Sequence, residues 1–596
     1  MACALRLRSR GENVLLVTRD TCLYAEIART GDLLPPTNLG AVWQALLFPP
    51  QVMDGTALLH PDRLKLHAEQ LFGERGIRLL YACQILGVRD GFALAAHKSG
   101  LYAIECLTVY DCRAQNPLLH PCTCLHIMQG DALEVRRILT LNSACDASSR
   151  FQRYEQALSQ LPKGCTLARG GVYASELHGL PFGSLARAGR AKTPDKLPYQ
   201  DASCNLRCFN PLHHAYFQRT LALPNPKTDD YDLVVVGGGT AGAVAALHGA
   251  RQGLHTLLIE MNEQLGGTAT VGGVSTYWFG ERIGATAQID EAVDRYYREL
   301  QLPRTRCLWS QNDVFAPDLK AHALLGLCLN ANVEVRFGCI ACGVEQPENR
   351  VEGVYYAMED AFYLAKANLV LDCTGDGDLC MFAGAAHTYG NKRDGMTYWG
   401  SLAQFTAPDQ YRNNFSTMVH VGDPKDYTRF ILSGRLRGKN LYDHGQYVAV
   451  RESRHICGMQ TITLESILAM TPVAQPLYHC FSNYDPKGRL TADLVYFGFL
   501  PPNQRIAVPR GAVIPVTEAG APIPGILTGG KAISCTHDAF PALRMQPDLQ
   551  QQGLALAALA VCMLKQETNA WQASGVDEQI LAQGGVLAPL QAAAPP

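Results

Sequence analysis

The sequence predicts an α/β protein: a parallel-sheet unit interrupted by an inserted domain and preceded by a degenerate copy of itself. Three observations predict it. A short apolar, β-branched run, Asp232-Leu233-Val234-Val235-Val236, of the kind a parallel strand buried on both faces requires, runs straight into Gly237-Gly238-Gly239-Thr240-Ala241-Gly242. A second run of the same type, 368–372, ends in Cys373-Thr374-Gly375-Asp376-Gly377-Asp378 more than a hundred residues later. Residues 4–18 match 246–260, and further matches follow at a nearly constant offset.

Composition bounds the rest. At about 100 to 200 residues per domain, 596 residues make roughly three to five units. Hydrophobic residues at 47% and charged residues at 18% give enough apolar surface for packed cores and argue against disorder. Fifty-two basic and 54 acidic residues leave a net charge of -2, without the basic excess of a nucleic-acid-binding chain. The arginines of residues 1–10 break any signal-peptide core. The longest apolar run, Leu554 to Leu564, has 11 residues and fits a buried helix rather than a membrane span. A cytoplasmic location without membrane contact is expected. The 21 cysteines are scattered, with neither the paired CxxC of a zinc site nor an iron–sulfur run. Buried, reduced thiols and no metal are therefore expected. Cys339-Ile340-Ala341-Cys342 has the spacing of a redox dithiol, but Cys339 matches Cys83 in the first copy, which favours core cysteines.

In chain order, residues 1–115 form the degenerate copy. Besides 4–18, Pro61-Asp62 matches Pro317-Asp318, 76–83 matches 332–339 and Gly87-Val88 matches Gly343-Val344, all three at an offset of 256. The copy begins just past the place of its glycine motif, so the true start could lie upstream of Met1. It has Thr18 where the other has Glu260, and Arg113-Ala114 where the other has Thr374-Gly375. Without those groups it should bind no nucleotide and should pack against the working unit. Residues 116–225 carry no interpretable motif, and Pro224, Pro226 and the polar 227–230 form a linker.

The unit at 226–385 carries the chemistry. After the strand, Gly237 permits the tight turn, Gly239 lets the backbone approach a pyrophosphate, and Gly242 lets the helix 243–251 pack close. The helix N-terminus offers N–H groups and a partial positive charge to phosphates. A second strand, 255–260, ends in Glu260, where a carboxylate accepts both ribose hydroxyls and disfavours a 2′-phosphate, hence NADP. The alternative is a glycine-rich turn in an ordinary βαβ unit; strand, glycines, helix, strand and acid together argue against it. The loop from Leu265 to Gly273 is dense in glycine, and its Gly267 and Thr268 suit close contact with a flat ring or phosphate.

These motifs, with Gly525-Ile526-Leu527-Thr528-Gly529-Gly530 and the helix from Gly553, resemble the FAD-dependent oxidoreductases of the glutathione-reductase-like fold. The branch resembled is the one holding fumarate-reductase-type and heterodisulfide-reductase-subunit-like flavoproteins. The resemblance covers about 231 to 385 and 500 to 565. It implies a Rossmann-like FAD-binding domain whose pyrophosphate and ribose sites are Gly237, Gly239, Gly242 and Glu260. Thr374, Gly375 and Asp376 would pass close to the nucleotide, and Gly530 and the turn around Met545 would close over the ribityl chain and flavin. The chain departs from the pattern at Ala557, a position usually glycine, and in lacking the cluster-binding cysteine runs of the heterodisulfide-reductase relatives.

The insertion, 386–505, is rich in aromatics and would cap the flavin; residues 506–596 complete the FAD domain. In Val450-Arg451-Glu452-Ser453-Arg454-His455-Ile456-Cys457-Gly458, arginines three apart would share a helix face and clamp a carboxylate. A structural salt-bridge network of Arg451, Glu452 and Arg454 is an equal alternative. His537 sits in the loop expected beside the flavin, where an imidazole takes the proton as hydride leaves; a loop-capping role is the alternative. Arg544 would stabilise an anionic reduced flavin. The expected function is hydride transfer between FAD and a small polar organic substrate. The alternatives are a reductase of double bonds or disulfides fed by an electron-carrier protein, and a flavin-binding subunit without its own substrate.

Overall fold

In the computed structural model of this chain, the described residues are 2–20, 23, 51–53, 56–58, 61–89, 92–109, 122–129, 132–139, 146–159, 166–171, 199–210, 215–306, 313–358, 361–392, 394–407, 410–437, 443–486, 500 and 505–587. The glycine-motif strand sits inside a seven-stranded sheet. It pairs in parallel with Thr256–Ile259 on one side and Ala361–Asp372 on the other. Glu334–Arg336 extends the sheet beyond the first of these, and Ile526–Thr528 lies parallel against Val370–Asp372. All five parallel strands therefore end at one edge, the edge where open α/β sheets bind ligands. Cys339–Glu345 and Gly353–Met358 form an antiparallel meander with Ala361–Asp372.

One expectation is corrected here. The central strand spans Lys227–Val236, so the polar 227–230 is strand, not linker, and pairs with Tyr363 to Lys366. Its exposure explains the polar composition: three of those four residues face solvent.

Helices Gly242–Arg251 and Gln546–Gln566 cover one face of the sheet. Every residue from Gln546 to Cys562 is buried, which explains the unbroken apolar run that begins at Leu554. The two helices nearly touch where a Cβ on Gly553 would stand 2.2 Å from the Ala241 carbonyl oxygen. Ala557, at the departure from the family pattern, is fully buried in the same helix.

The N-terminal residues repeat this plan. Leu15–Val17 pairs in parallel with Arg78–Leu80, with Leu15 opposite Arg78 as Leu257 is opposite Glu334. Gln84–Arg89, Phe92–His97 and Gly100–Glu105 form a meander, with a bulge between Ile85 and Gly87 where the second unit has one between Ala341 and Gly343. The two meanders pack on each other through Leu86, Ala96 and Leu101 against Ile340, Tyr355 and Leu364. The remaining apolar face, with Phe72, Ile77 and Tyr81, packs on Leu402, Phe430 and Ile431 of the insertion. A fully buried Arg435 ion-pairs there with Glu69, which also accepts the Tyr81 hydroxyl at 2.8 Å. Arg113-Ala114 lies outside the described residues. Between the units, the chain forms a three-stranded sheet, Thr166–Gly171, Cys122–Gln129 and Ala132–Leu139, a helix, Ala147–Ser159, and a ribbon of Tyr199–Asn210 with Ala215–Pro224.

Candidate active site

A cleft opens at the carboxyl edge of the parallel strands, where open α/β sheets bind their ligands. Its wall contains Gly237, Gly239 and Glu260, then Gly267 and Thr268, then Thr374, Gly375 and Asp376, and Gly530.

The three motif glycines have different reasons to be glycine. A Cβ on Gly237 would lie 2.3 Å from the Cys373 carbonyl oxygen, and one on Gly242 would lie 1.9 Å from that of Gly237. Those two serve the turn and the strand–helix approach, and Gly242 does not line the cleft. A Cβ on Gly239 would meet nothing within 4 Å, because it would project into the cleft itself. The helix beginning at Gly242 has no side-chain cap, and Thr240 and Ala241 at its start line the cleft. Glu260 is buried and preset: one oxygen accepts the Gly238 N–H at 2.7 Å, and the other accepts the Asn262 N–H at 2.7 Å and its amide at 2.6 Å. Burial raises its pKa, and these bonds to the charged form oppose the rise. Backbone donors, an open glycine and an acid at the second strand's end fit the diphosphate and ribose of FAD.

Thr374 organises the loop. Its hydroxyl donates to Asp372 at 2.6 Å and accepts the Asp378 N–H at 3.1 Å. Asp376 lines the cleft, but its carboxylate is wrapped by Lys98, Lys531 and the Ser453 hydroxyl. Lys98, Lys531, Asp378, Tyr427 and Tyr447, all on the cleft wall, escaped the sequence reading. Lys531 had a signal, directly following Gly530; Lys98 had none. Met545 is the N-cap of the Gln546–Gln566 helix and off the wall; Leu549, four residues on, lines it.

The arginine clamp is corrected. Arg454 begins a strand, Arg454–Ile456, paired with His387–Tyr389, so the two arginines share no helix face. Arg451 donates to the Trp399 carbonyl at 2.9 Å and to Ser401, while Arg454 donates to the Asp376 carbonyl at 2.8 Å and ion-pairs with Asp378. Arg544 is held by Asp485 through its carbonyl and carboxylate. Cys339 and Cys342 are buried on a strand with their thiol pKa values pushed up by burial, as core cysteines are.

His537 belongs to a buried network. Its Nδ1 lies 2.8 and 2.9 Å from the two oxygens of Glu452, and Tyr398 stacks on its ring at 4.5 Å. Glu452 also meets His455 Nε2 at 3.0 Å and accepts the Tyr398 N–H at 2.8 Å. His455 Nδ1 lies 3.4 Å from Cys535 Sγ. Burial alone would lower the His455 pKa, but Cys535 and Glu452 hold it up to about 10. Burial would likewise raise that of Glu452, and its bonds to the two histidines bring it below the usual value. Glu452 is thus a histidine-orienting carboxylate, not the middle of an arginine network.

Among the described residues no group of acids, histidines and cysteines could hold a metal, and no helix is long and apolar enough to cross a membrane. Parts of known proteins are similar to this chain. Dihydrolipoyl dehydrogenase from Caenorhabditis elegans is 45% identical over 58 residues, 10% of this chain and 12% of that protein. The 4-oxocyclohex-2-ene-1-carboxylate 5-dehydrogenase of Sinomonas cyclohexanicum is 37% identical over 75 residues, 12% of this chain and 13% of that protein. The matches thus span about an eighth of these relatives. Among solved structures, a geranylgeranyl bacteriochlorophyll reductase-like protein from Thermoplasma acidophilum aligns at 12% identity and a TM-score of 0.28, over 60% of this chain and 83% of that one. The family described as FAD dependent oxidoreductase matches residues 232–431 and 425–577. Matched over more than half of its length, and with a cleft shaped for the cofactor, the chain belongs to the FAD-dependent oxidoreductases.

Proposed function

We propose that this flavoprotein transfers hydride between FAD and a small polar organic substrate, with His537 as the proton acceptor. The observation that carries the reading is the pairing of Glu452 with His537, which is buried, off the cleft wall, on the loop between two wall stretches, Gly530-Lys531 and Leu549. Bound FAD supplies the two-electron chemistry. Gly239, the helix start at Gly242 and Glu260 hold its diphosphate and ribose, and Gly267, Thr268 and Gly530 close around it. Glu452 fixes the ring of His537 and takes its Nδ1–H, which puts the imidazole lone pair on Nε2, the form a general base needs. Tyr398, stacked on the ring, prevents its rotation.

The test follows bleaching of the bound flavin by a panel of sugars, hydroxy acids and enoates. His537→Ala should slow reduction by the active substrate about 10²- to 10⁴-fold. FAD content should be unchanged. An unchanged rate makes the histidine structural. Flavin that no organic donor reduces, but a reduced carrier protein does, would replace this reading with that of a carrier-fed reductase.

A further inference from the structure

The hairpin that joins Phe92–His97 to Gly100–Glu105 pairs His97 with Gly100, leaving Lys98 and Ser99 as its two-residue turn. The turn is fixed from several sides. His97 Nδ1 lies 2.6 Å from the Ser99 hydroxyl, which lies 2.7 Å from the Tyr102 hydroxyl, and Tyr102 donates to the Gly422 carbonyl at 3.2 Å. The His97 ring is fully buried, edge-on to Tyr427. This turn of the N-terminal copy delivers Lys98 into the cleft of the second unit, where it ion-pairs with Asp376 and lies 3.3 Å from Asp378.

Lys98, Lys531 and Arg454 face Asp376 and Asp378, with Asp372 and Glu260 the other acids near the cleft. Lys98 and Lys531 are the cations on the cleft wall, alongside Gly239 and Gly375. A diphosphate held only by backbone N–H groups keeps most of its double negative charge, and a low-dielectric cleft makes a nearby ammonium valuable to it. An ammonium has three donors, and the two aspartates leave one for a phosphate oxygen.

We propose that the N-terminal copy completes the cofactor site of the second unit, with Lys98 serving as a counter-charge for the diphosphate of bound FAD. The degenerate copy is then part of the binding site and not only a packing surface.

The full-length chain freed of flavin is titrated with FAD, ADP and adenosine, as wild type, Lys98→Met and Lys98→Arg. Loss of one charge-assisted contact should weaken FAD and ADP about 10- to 100-fold in Lys98→Met. Adenosine, which has no phosphate, should bind within about two-fold of wild type, and Lys98→Arg should keep FAD affinity within a few-fold. Unchanged FAD affinity in a folded Lys98→Met overturns the proposal. So does an equal loss for adenosine, which would make Lys98 a wall of the nucleoside pocket. Should Lys98→Met fail to fold, Lys98→Gln keeps a donor for Asp376, removes the charge and is judged by the same three ligands.

Discussion

Where Glu260 of the second unit accepts the N–H of Asn262, Thr18 of the N-terminal unit accepts the N–H of Asp20 through its hydroxyl at 3.2 Å. The backbone around the two positions is the same. Glu260 N–H bonds to the Arg336 carbonyl and its own carbonyl accepts from Cys339; Thr18 does both with Leu80 and Cys83, each at 3.0 Å. Gly338 bonds back to Asn262 as Ala82 does to Asp20. The difference lies in reach. The glutamate's second oxygen holds the Gly238 N–H beside the cleft, and a threonine cannot extend that far. Strand pairing and turns are enforced by backbone bonds along the whole unit, whereas cofactor binding hangs on a few side chains and one open glycine. A fold therefore outlives its cleft, and the surplus copy is free to serve the neighbouring one.

The largest effect expected is at the open glycine. Gly239→Val should leave a folded chain with no stoichiometric flavin, because the branched side chain fills the diphosphate position. Full flavin in this variant, or two flavins per wild-type chain, would break the contrast between a working and a degenerate unit.

Next comes the way each unit buries a carboxylate. Glu69 sits against the Arg435 guanidinium, while Asp548, wholly buried in the first turn of the Gln546–Gln566 helix, accepts the Phe481 N–H at 2.8 Å. Burial pushes the pKa of Asp548 up to about 7. Its folded value thus exceeds its unfolded one, near 3.9, so its contribution is fully present below about pH 4 and is lost as pH rises through 7. Three units correspond to about 4 kcal/mol. Asp548→Asn, which is neutral throughout, should therefore raise the thermal midpoint at pH 8 and change it little near pH 4. Equal shifts at both pH values would show that burial is not what governs this carboxyl.

Smaller still is the exchange of the ribose acid. Glu260→Thr should weaken FAD by about 10- to 100-fold, the worth of a charge-assisted hydrogen bond, measured by flavin titration. The reciprocal Thr18→Glu should add no second flavin. A second bound flavin in Thr18→Glu would mean that the N-terminal copy needs only the acid to bind.

The parts of the site legible in the sequence are those whose chemistry is local. A diphosphate needs glycines, a helix start and an acid at set spacings along one βαβ unit, so 237–260 announces itself, as do 372–376 and 529–530. What was illegible depends on distant chain. Lys98 reaches Asp376 across 278 residues, on a turn whose sequence has no signature. The arginines at 451 and 454 read as a helix face until pairing with His387–Tyr389 makes their segment a strand. Glu452 looked like the centre of an arginine network because its histidine at 537 is 85 residues away. The strand residues 227–230 were hidden by their own exposure, since an exposed strand end is free to be polar. The strands Cys122–Gln129, Ala132–Leu139, Thr166–Gly171, Tyr199–Asn210 and Ala215–Pro224 pair in antiparallel ladders without a periodicity that marks them in advance.

The finest expected difference concerns one turn the two units share. Gly338 has φ +65° and its counterpart Ala82 has φ +55°, both left-handed. At Gly338 an alanine would incur about 1 to 2 kcal/mol of backbone strain. Its Cβ would stand 3.1 Å from Glu263 and 3.2 Å from Arg19, tips that can shift, so the strain, less about 0.5 to 1 kcal/mol from the reduced freedom of the unfolded chain, decides and Gly338→Ala should destabilise by about 1 kcal/mol at most. At Ala82 the strain is already present, and glycine would relieve it. Yet Ala82 is buried against the insertion, and losing its methyl costs about 0.8 kcal/mol, with a further 0.5 to 1 kcal/mol from the added freedom of the unfolded chain. These terms nearly cancel, so Ala82→Gly should change stability by less than about 0.5 kcal/mol, read as a thermal midpoint hardly moved. A clear loss in Ala82→Gly would show that the methyl's packing outweighs its strain, and that the degenerate unit has replaced a backbone requirement by a core contact.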